Sequence, residues 1–180
     1  FLNTINPDLV KLKLKIEQAK PAVGAVPGTT AVKPGYAAIP IEQDTLDKIL
    51  KDEDRVRDTF KRLGITVNKE RCTTVGQKNC TNVGLLGEGA ISGLQVLKTN
   101  CRCSVIVSGG TEFWLHNTHG PGKPIIDLTK DGGGALDRYI KGSKNKSVST
   151  TFIRGKSIDV YKLDGGTFYS EDDAHWHVVF

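Results

Sequence analysis

The chain's four histidines fall in two places. His116 and His119 lie in the run Leu115-His116-Asn117-Thr118-His119-Gly120-Pro121-Gly122-Lys123-Pro124-Ile125-Ile126-Asp127-Leu128, and His175 and His177 form a His-Trp-His near the C-terminus. Imidazole is the commonest metal-binding side chain and carboxylate a frequent companion, so this set of residue types suits a zinc site. Three protein ligands with a fourth position left open are the arrangement of a catalytic zinc, and the chemistry to expect from it is hydrolysis.

Such ligands need rigid elements to hold them. If Pro124 to Leu128 is a strand, period-two alternation turns Ile125 and Asp127 to one face and Ile126 and Leu128 to the other, presenting a carboxylate from an apolar element. A strand over Ala174 to Phe180 likewise turns His175 and His177 to one side and Trp176 and Val178 to the other. The Gly120-Pro121-Gly122 turn then brings His119 back toward Asp127.

His-x-x-Gly followed by Asp-Leu, with a closing His-x-His, resembles the zinc peptidases that include D-alanyl-D-alanine carboxypeptidases, penicillin-insensitive murein endopeptidases and the hedgehog signalling domain. The resemblance covers roughly residues 105–180. It implies that His119, Asp127 and His177 are zinc ligands, that His175 stands beside the catalytic water, and that the substrate is a peptidoglycan stem peptide or a related short peptide. Several relatives place an acid three residues before the last ligand, where this chain has Ala174, so Asp172 and Asp173 join His175 as candidate catalytic groups. His119 and Asp127 stand eight positions apart, one more than is usual in that family, which calls for a bulge at the Lys123-Pro124 step. His116 is the alternative first ligand. The basic residue that family members often carry before the first histidine has no counterpart in Ser108-Gly109-Gly110-Thr111-Glu112. Two other readings therefore stand beside the enzyme: a catalytically silent, hedgehog-like zinc-binding module, and a structural or assembly protein of a cell-surface or virion complex.

At 180 residues the chain has room for one α+β domain and an arm: a small antiparallel sheet with flanking helices, carrying the zinc site and preceded by an extended N-terminal segment. A net charge of +5 and a pI of about 9.0 suit an anionic surface, but Lys and Arg are interspersed with acids and form no stripe, so no nucleic-acid partner is expected. No apolar run is long enough for a membrane span, and the residues from Phe1 have no leader pattern, as in a processed chain. Residues 1–43, rich in Pro, Gly, Ala and Val after Lys20, read as an arm that tethers the domain or docks on a neighbouring subunit, and residues 44–180 as the peptidase-like domain.

Within that domain, Leu46, Ile49, Leu50, Val56, Phe60 and Leu63 recur at helical spacing, with Asp44 as N-cap, Gly64 as the stop and Lys51 to Arg57 as a solvated face. Ile65 to Val83 reads as a turn-rich excursion, Ala90 to Thr99 as a second helix and Cys103 to Ser108 as a buried strand. That strand delivers Gly109 and Gly110 to the site mouth, where they can let a peptide approach, followed by Glu112, which is expected to be exposed or else to bind a substrate amine or orient a histidine. Gly132 to Gly134 opens a short helix ending at Lys141-Gly142, without the Lys-Ser/Thr of a phosphate-binding loop. Ser147 to Arg154 and Ser157 to Leu163 form a hairpin, and Phe168-Tyr169 a further short strand or turn. Cys72, Cys80, Cys101 and Cys103, even in number and clustered, point to disulfides in a secreted or cell-surface protein. Residues two apart on a strand cannot readily meet disulfide geometry, so pairing between the two clusters is expected.

Overall fold

The computed structural model describes residues 40–180 except 132, 143–148, 154, 171 and 173. Residues 1–39 of the expected 1–43 arm and Asp173 thus lie outside the described residues, while residues 40–43 belong to the first helix. The elements, in chain order, are α1 (Pro40–Arg62), β1 (Ile65–Val67), α2 (Glu88–Cys101), β2 (Val105–Gly109), β3 (Ile125–Thr129), α3 (Ala135–Lys141), β4 (Ser149–Ile153), β5 (Lys156–Leu163), β6 (Gly166–Tyr169) and β7 (His175–Val179).

All seven strands join one sheet in the order β1-β2-β3-β7-β6-β5-β4. It is α+β and mostly antiparallel, but larger than the small sheet expected, and β1 lies parallel to β2. A parallel pair needs a crossover, which here is the long loop plus α2. Three residues are too few to display a period, so β1 could not be told from the turn-rich stretch around it.

The strands that carry Asp127 and the His-Trp-His both obey the alternation. Ile126 and Leu128 of β3, and Trp176 and Val178 of β7, face the core together with Phe168, Leu94, Leu97, Phe60 and Leu136. Each of these side chains contributes roughly 1.5–3 kcal/mol by leaving water. With the core face so committed, a one-residue slip in either strand would drive Asp127 or a histidine into the apolar layer, which fixes the register. Trp176 Nε1 donates to the buried Asp137 Oδ1 of α3 at 2.8 Å, anchoring β7 from beneath.

α1 starts at Pro40, four residues before the expected Asp44 cap, because proline's fixed φ and missing N–H suit a first helical turn. Gly64, at φ +69°, ends it as expected. The solvated-face reading of Lys51 to Arg57 holds for Lys51, Asp54 and Arg55 and fails for Glu53, which is fully buried. Its carboxylate accepts from the backbone N–H groups of Val83 (2.9 Å) and Gly84 (2.7 Å) and from Arg57 Nε (2.7 Å). Arg57 in turn donates to the Thr81 carbonyl at 2.6 Å. A side chain at Gly84 would collide with the Ile49 carbonyl, its Cβ meeting that oxygen at 2.0 Å, so only glycine lets the loop lie on the helix.

The disulfides are Cys72–Cys80 and Cys101–Cys103, within the clusters and not between them. The expectation failed because Cys101 and Cys103 do not share a strand. Cys101 closes α2, and Arg102 turns left-handed at φ 49°, bringing the two Cα atoms to 5.1 Å.

Candidate metal centre

β3 and β7 are adjacent and antiparallel, with Asp127 directly opposite His177 and Thr129 opposite His175. This register puts the carboxylate and both imidazoles of His-Trp-His on the face away from Trp176. His119 reaches the same place from the loop before β3. His177 Nδ1 lies 2.9 Å from Asp127 Oδ1, His119 Nε2 lies 3.3 Å from that oxygen, and the two ring nitrogens are 3.5 Å apart. All three residues are buried.

Three donor atoms so close can hold a metal ion. Zinc–ligand bonds of about 2.0–2.2 Å in a tetrahedron place neighbouring ligand atoms about 3.3–3.6 Å apart. Two of the three separations agree, and the third needs to widen by a few tenths of an ångström, a small side-chain adjustment. The donor set fits zinc chemically as well, being imidazole nitrogen and carboxylate oxygen. His119 Nδ1 is buried with no hydrogen-bond partner among the described residues. Burial opposes ionisation of Asp127, but hydrogen bonds with His119 and His177 and the field of the surrounding histidines outweigh it and hold the carboxyl below the usual carboxylate range.

The bulge expected at Lys123-Pro124 does not form: the β3–β7 register is unbroken, and Lys123 N–H donates to the Gly120 carbonyl at 3.2 Å in the turn before β3. A bulge lies instead across the sheet in β2, where Val107 pairs with Leu128 but Gly109 pairs with Asp127. It moves Gly109 onto the face of Asp127, whose Oδ2 would be 2.8 Å from a Cβ there. Gly110 similarly packs on the Asn82 carbonyl, at 2.4 Å from an added Cβ. These glycines therefore make room for the protein's own groups.

His175 stands at the rim with 27% of its side chain exposed. Its Nδ1 is 3.2 Å from Asp172 Oδ1, and its Nε2 is 3.9 Å from Asp127 Oδ2. Asp172 also accepts from the N–H groups of Ala174 (2.8 Å) and His175 (3.1 Å), so the same carboxylate shapes the entry to β7 and meets the imidazole. His116 is exposed, its ring 4.7 Å from that of His119. Desolvation and the neighbouring histidines lower its pKa. Tyr169, which sequence reasoning passed over, lies on β6 directly opposite His177 with ring centres 4.8 Å apart; the only signal was its place in a short segment.

Glu112 is not exposed as expected but 1% accessible, tying loops together through Asn82 N–H and, at 2.7 Å, Gly110 N–H. Burial pushes its pKa up, against the pull of those bonds and of nearby His119.

Fold and site together define an α+β protein whose central sheet carries a buried two-histidine, one-aspartate cluster able to hold a metal ion. Compared with protein-family models, curated proteins and solved structures, the chain matches none. Among the described residues no helix is long and apolar enough to cross a membrane.

Proposed function

We propose that this chain is a zinc peptidase acting on peptidoglycan stem peptides or related short peptides. The carrying observation is the convergence of His119, Asp127 and His177 at mutual distances near those of a tetrahedral zinc, with a half-buried His175 held by Asp172 at the rim. The resemblance to the murein endopeptidases and carboxypeptidases names the substrate class. Two disulfides are compatible with work outside the cytoplasm.

When bound, zinc supplies a Lewis acid for a scissile carbonyl and a source of hydroxide near neutral pH. The chain's own contribution is positional. His119, Asp127 and His177 form a floor that excludes bulk water, and Asp127 stays anionic to offset a cation's charge. Asp172 favours the His175 tautomer with a proton on Nδ1, leaving Nε2 on the site side to accept a proton and return it to the leaving amine. Asp172 is thereby a positioning residue and His175 the catalytic one.

A second reading, the silent zinc-binding module, is favoured by Ala174 at the place of the family's acid and by the absence of a basic residue from Ser108 to Glu112. One experiment separates the two. Zinc-loaded wild-type protein should hydrolyse muropeptide stem peptides, and His175→Ala should keep its zinc while losing at least about a hundredfold in kcat/KM. A wild-type protein with full zinc and no hydrolysis of any stem peptide would establish the binding module instead.

A further inference from the structure

The two disulfides differ in what they join and in how far solvent reaches them. Cys72–Cys80 closes a sequence separation of 8 and is buried at both ends, with Cys72 0% and Cys80 5% exposed. Cys101–Cys103 closes a separation of only 2 at the junction of α2 and β2, with Cys103 buried and Cys101 partly exposed. Arg102 and Ser104 beside it are exposed. The chain entropy that a disulfide removes from the unfolded state falls as its loop shortens, so this bond gives the smaller stabilisation of the two. It also coexists with a left-handed Arg102, at φ 49°, a conformation that costs a non-glycine residue. A bond that stabilises little, rests on a strained residue and opens one sulfur to solvent belongs to the exchangeable class of disulfides, and the buried pair to the resistant class.

The groups around Cys101 suit an entering and leaving thiolate. Cys103 N–H donates to Cys101 Sγ at 3.2 Å, so negative charge on that sulfur meets a donor already in place. The Lys98 ammonium, donating to the Cys103 carbonyl at 2.7 Å, fixes a positive charge beside the pair. The Lys98 carbonyl, 4.0 Å from Cys101 Sγ, accepts from the protonated thiol. Cys103 belongs to the apolar core, shielded from reagents outside but two residues from its partner.

We propose that Cys101–Cys103 is a thiol–disulfide exchange site for small thiols and disulfides, with Cys101 the entry sulfur and Cys103 the resolving one. An external thiolate attacks Cys101 Sγ and forms a mixed disulfide as the Cys101–Cys103 bond breaks; Cys103 leaves with the electron pair and takes a proton. A second external thiolate attacks the outer sulfur of the mixed disulfide and frees Cys101, which is protonated in turn. Two thiols are thereby oxidised to one disulfide, and the protein pair takes up two electrons and two protons. The reverse sequence, begun by the Cys101 thiolate on a small disulfide, restores the bond. The site lies at the opposite end of β2 from Gly109 and Asp127, and it needs neither zinc nor peptidase activity.

The test equilibrates the full chain in glutathione buffers of stepped reduced-to-oxidised ratio, traps thiols with acid and an alkylating reagent, and maps them by mass spectrometry, with far-UV circular dichroism followed alongside. Cys101 and Cys103 should reach half-reduction at a value of [GSH]²/[GSSG] at least about tenfold lower than Cys72 and Cys80, with the ellipticity unchanged. Cys103→Ser should accumulate a glutathione adduct on Cys101, and Cys101→Ser about tenfold less on the buried Cys103. Reduction of both pairs together, reduction of Cys72–Cys80 first, or loss of the folded signal as Cys101–Cys103 opens overturns the proposal. Equal adducts on the two cysteines overturn it as well. The wild-type titration decides the matter even where a serine variant fails to fold.

Discussion

Glu53→Ala is the substitution from which the structure predicts most. Glu53 is fully buried, and its removal orphans the N–H groups of Val83 and Gly84 and strips Arg57 of its carboxylate partner in a half-buried place. Each orphaned buried donor costs about 1–3 kcal/mol. Breaking a buried ion pair from one side costs about 3–5 kcal/mol, much of it the same lost bonds counted again, so we take about 3–5 kcal/mol in all. For a domain of this size that is a fall in Tm of about 10–20 °C. The loss should extend to the metal centre. The loop that Glu53 holds accepts Gly122 N–H at the Leu85 carbonyl (2.7 Å) and Thr111 N–H at the Asn82 carbonyl (2.8 Å), and those two residues flank the segment bearing His116 and His119. Urea unfolding gives the stability, and zinc titration of the folded protein gives the second effect, a weakening of about tenfold or more. Asp54→Ala, on the same helix, is the control. Its pair with Arg71 is exposed and should be worth less than about 1 kcal/mol. Glu53→Ala within about 1 kcal/mol of wild type, at an unchanged m-value, would refute the claim that this carboxylate holds the loop.

Three further expectations follow from the same geometry. His177→Ala should abolish stoichiometric zinc, measured by elemental analysis, while His116→Ala, whose ring lies exposed against His119, should retain it. Non-reduced peptide mapping should yield Cys72 linked to Cys80 and Cys101 linked to Cys103, and any peptide bridging the two clusters would contradict the fold. Tyr139 should ionise well above an ordinary tyrosine, because burial and its bond to Asp164 Oδ2 at 2.8 Å push its pKa up from 10.0 to about 12. The native state keeps that proton longer than the unfolded chain does, so the stabilisation is whole below about pH 10 and disappears as pH climbs toward 12. Phenolate absorbance should show this transition lost in Tyr139→Phe and moved down in Asp164→Asn.

The parts of the fold legible in the sequence were those in which a repeat of apolar side chains runs long enough to declare its period. α1 and the strands that carry Asp127 and His177 qualify, and there the predicted faces are the observed ones. Short or polar-lined features were not legible. β1 is three residues long and exists because β2 offers it an edge. The burial of Glu53 and Glu112 depends on backbone N–H groups about thirty residues away (Val83 and Gly84 for Glu53, Asn82 for Glu112), and local charge patterning has no access to them. The pairing of Cys101 with Cys103 turned on one left-handed residue, Arg102, a conformation that a non-glycine residue type does not advertise.

The candidate metal-binding cluster was legible for a different reason, and the same reason bounds what the sequence could say of it. Asp127 and His177 meet because the alternation of β3 and of β7 each leaves one polar face, and two such faces in neighbouring strands of one sheet must coincide once the apolar faces are buried together. No such rule governs His119 or Asp172, which reach the site from loops. His119 is carried by the segment before the Gly120 to Lys123 turn, which leads into β3 without disturbing its register. Asp172 meets His175 because it caps the first turn into β7, so the residue that orients the imidazole is also one that shapes the strand's entry. A change at Asp172 therefore acts on backbone and imidazole together. Asn at that position, which keeps an acceptor for both N–H groups but not the charge, is the variant that separates the two roles.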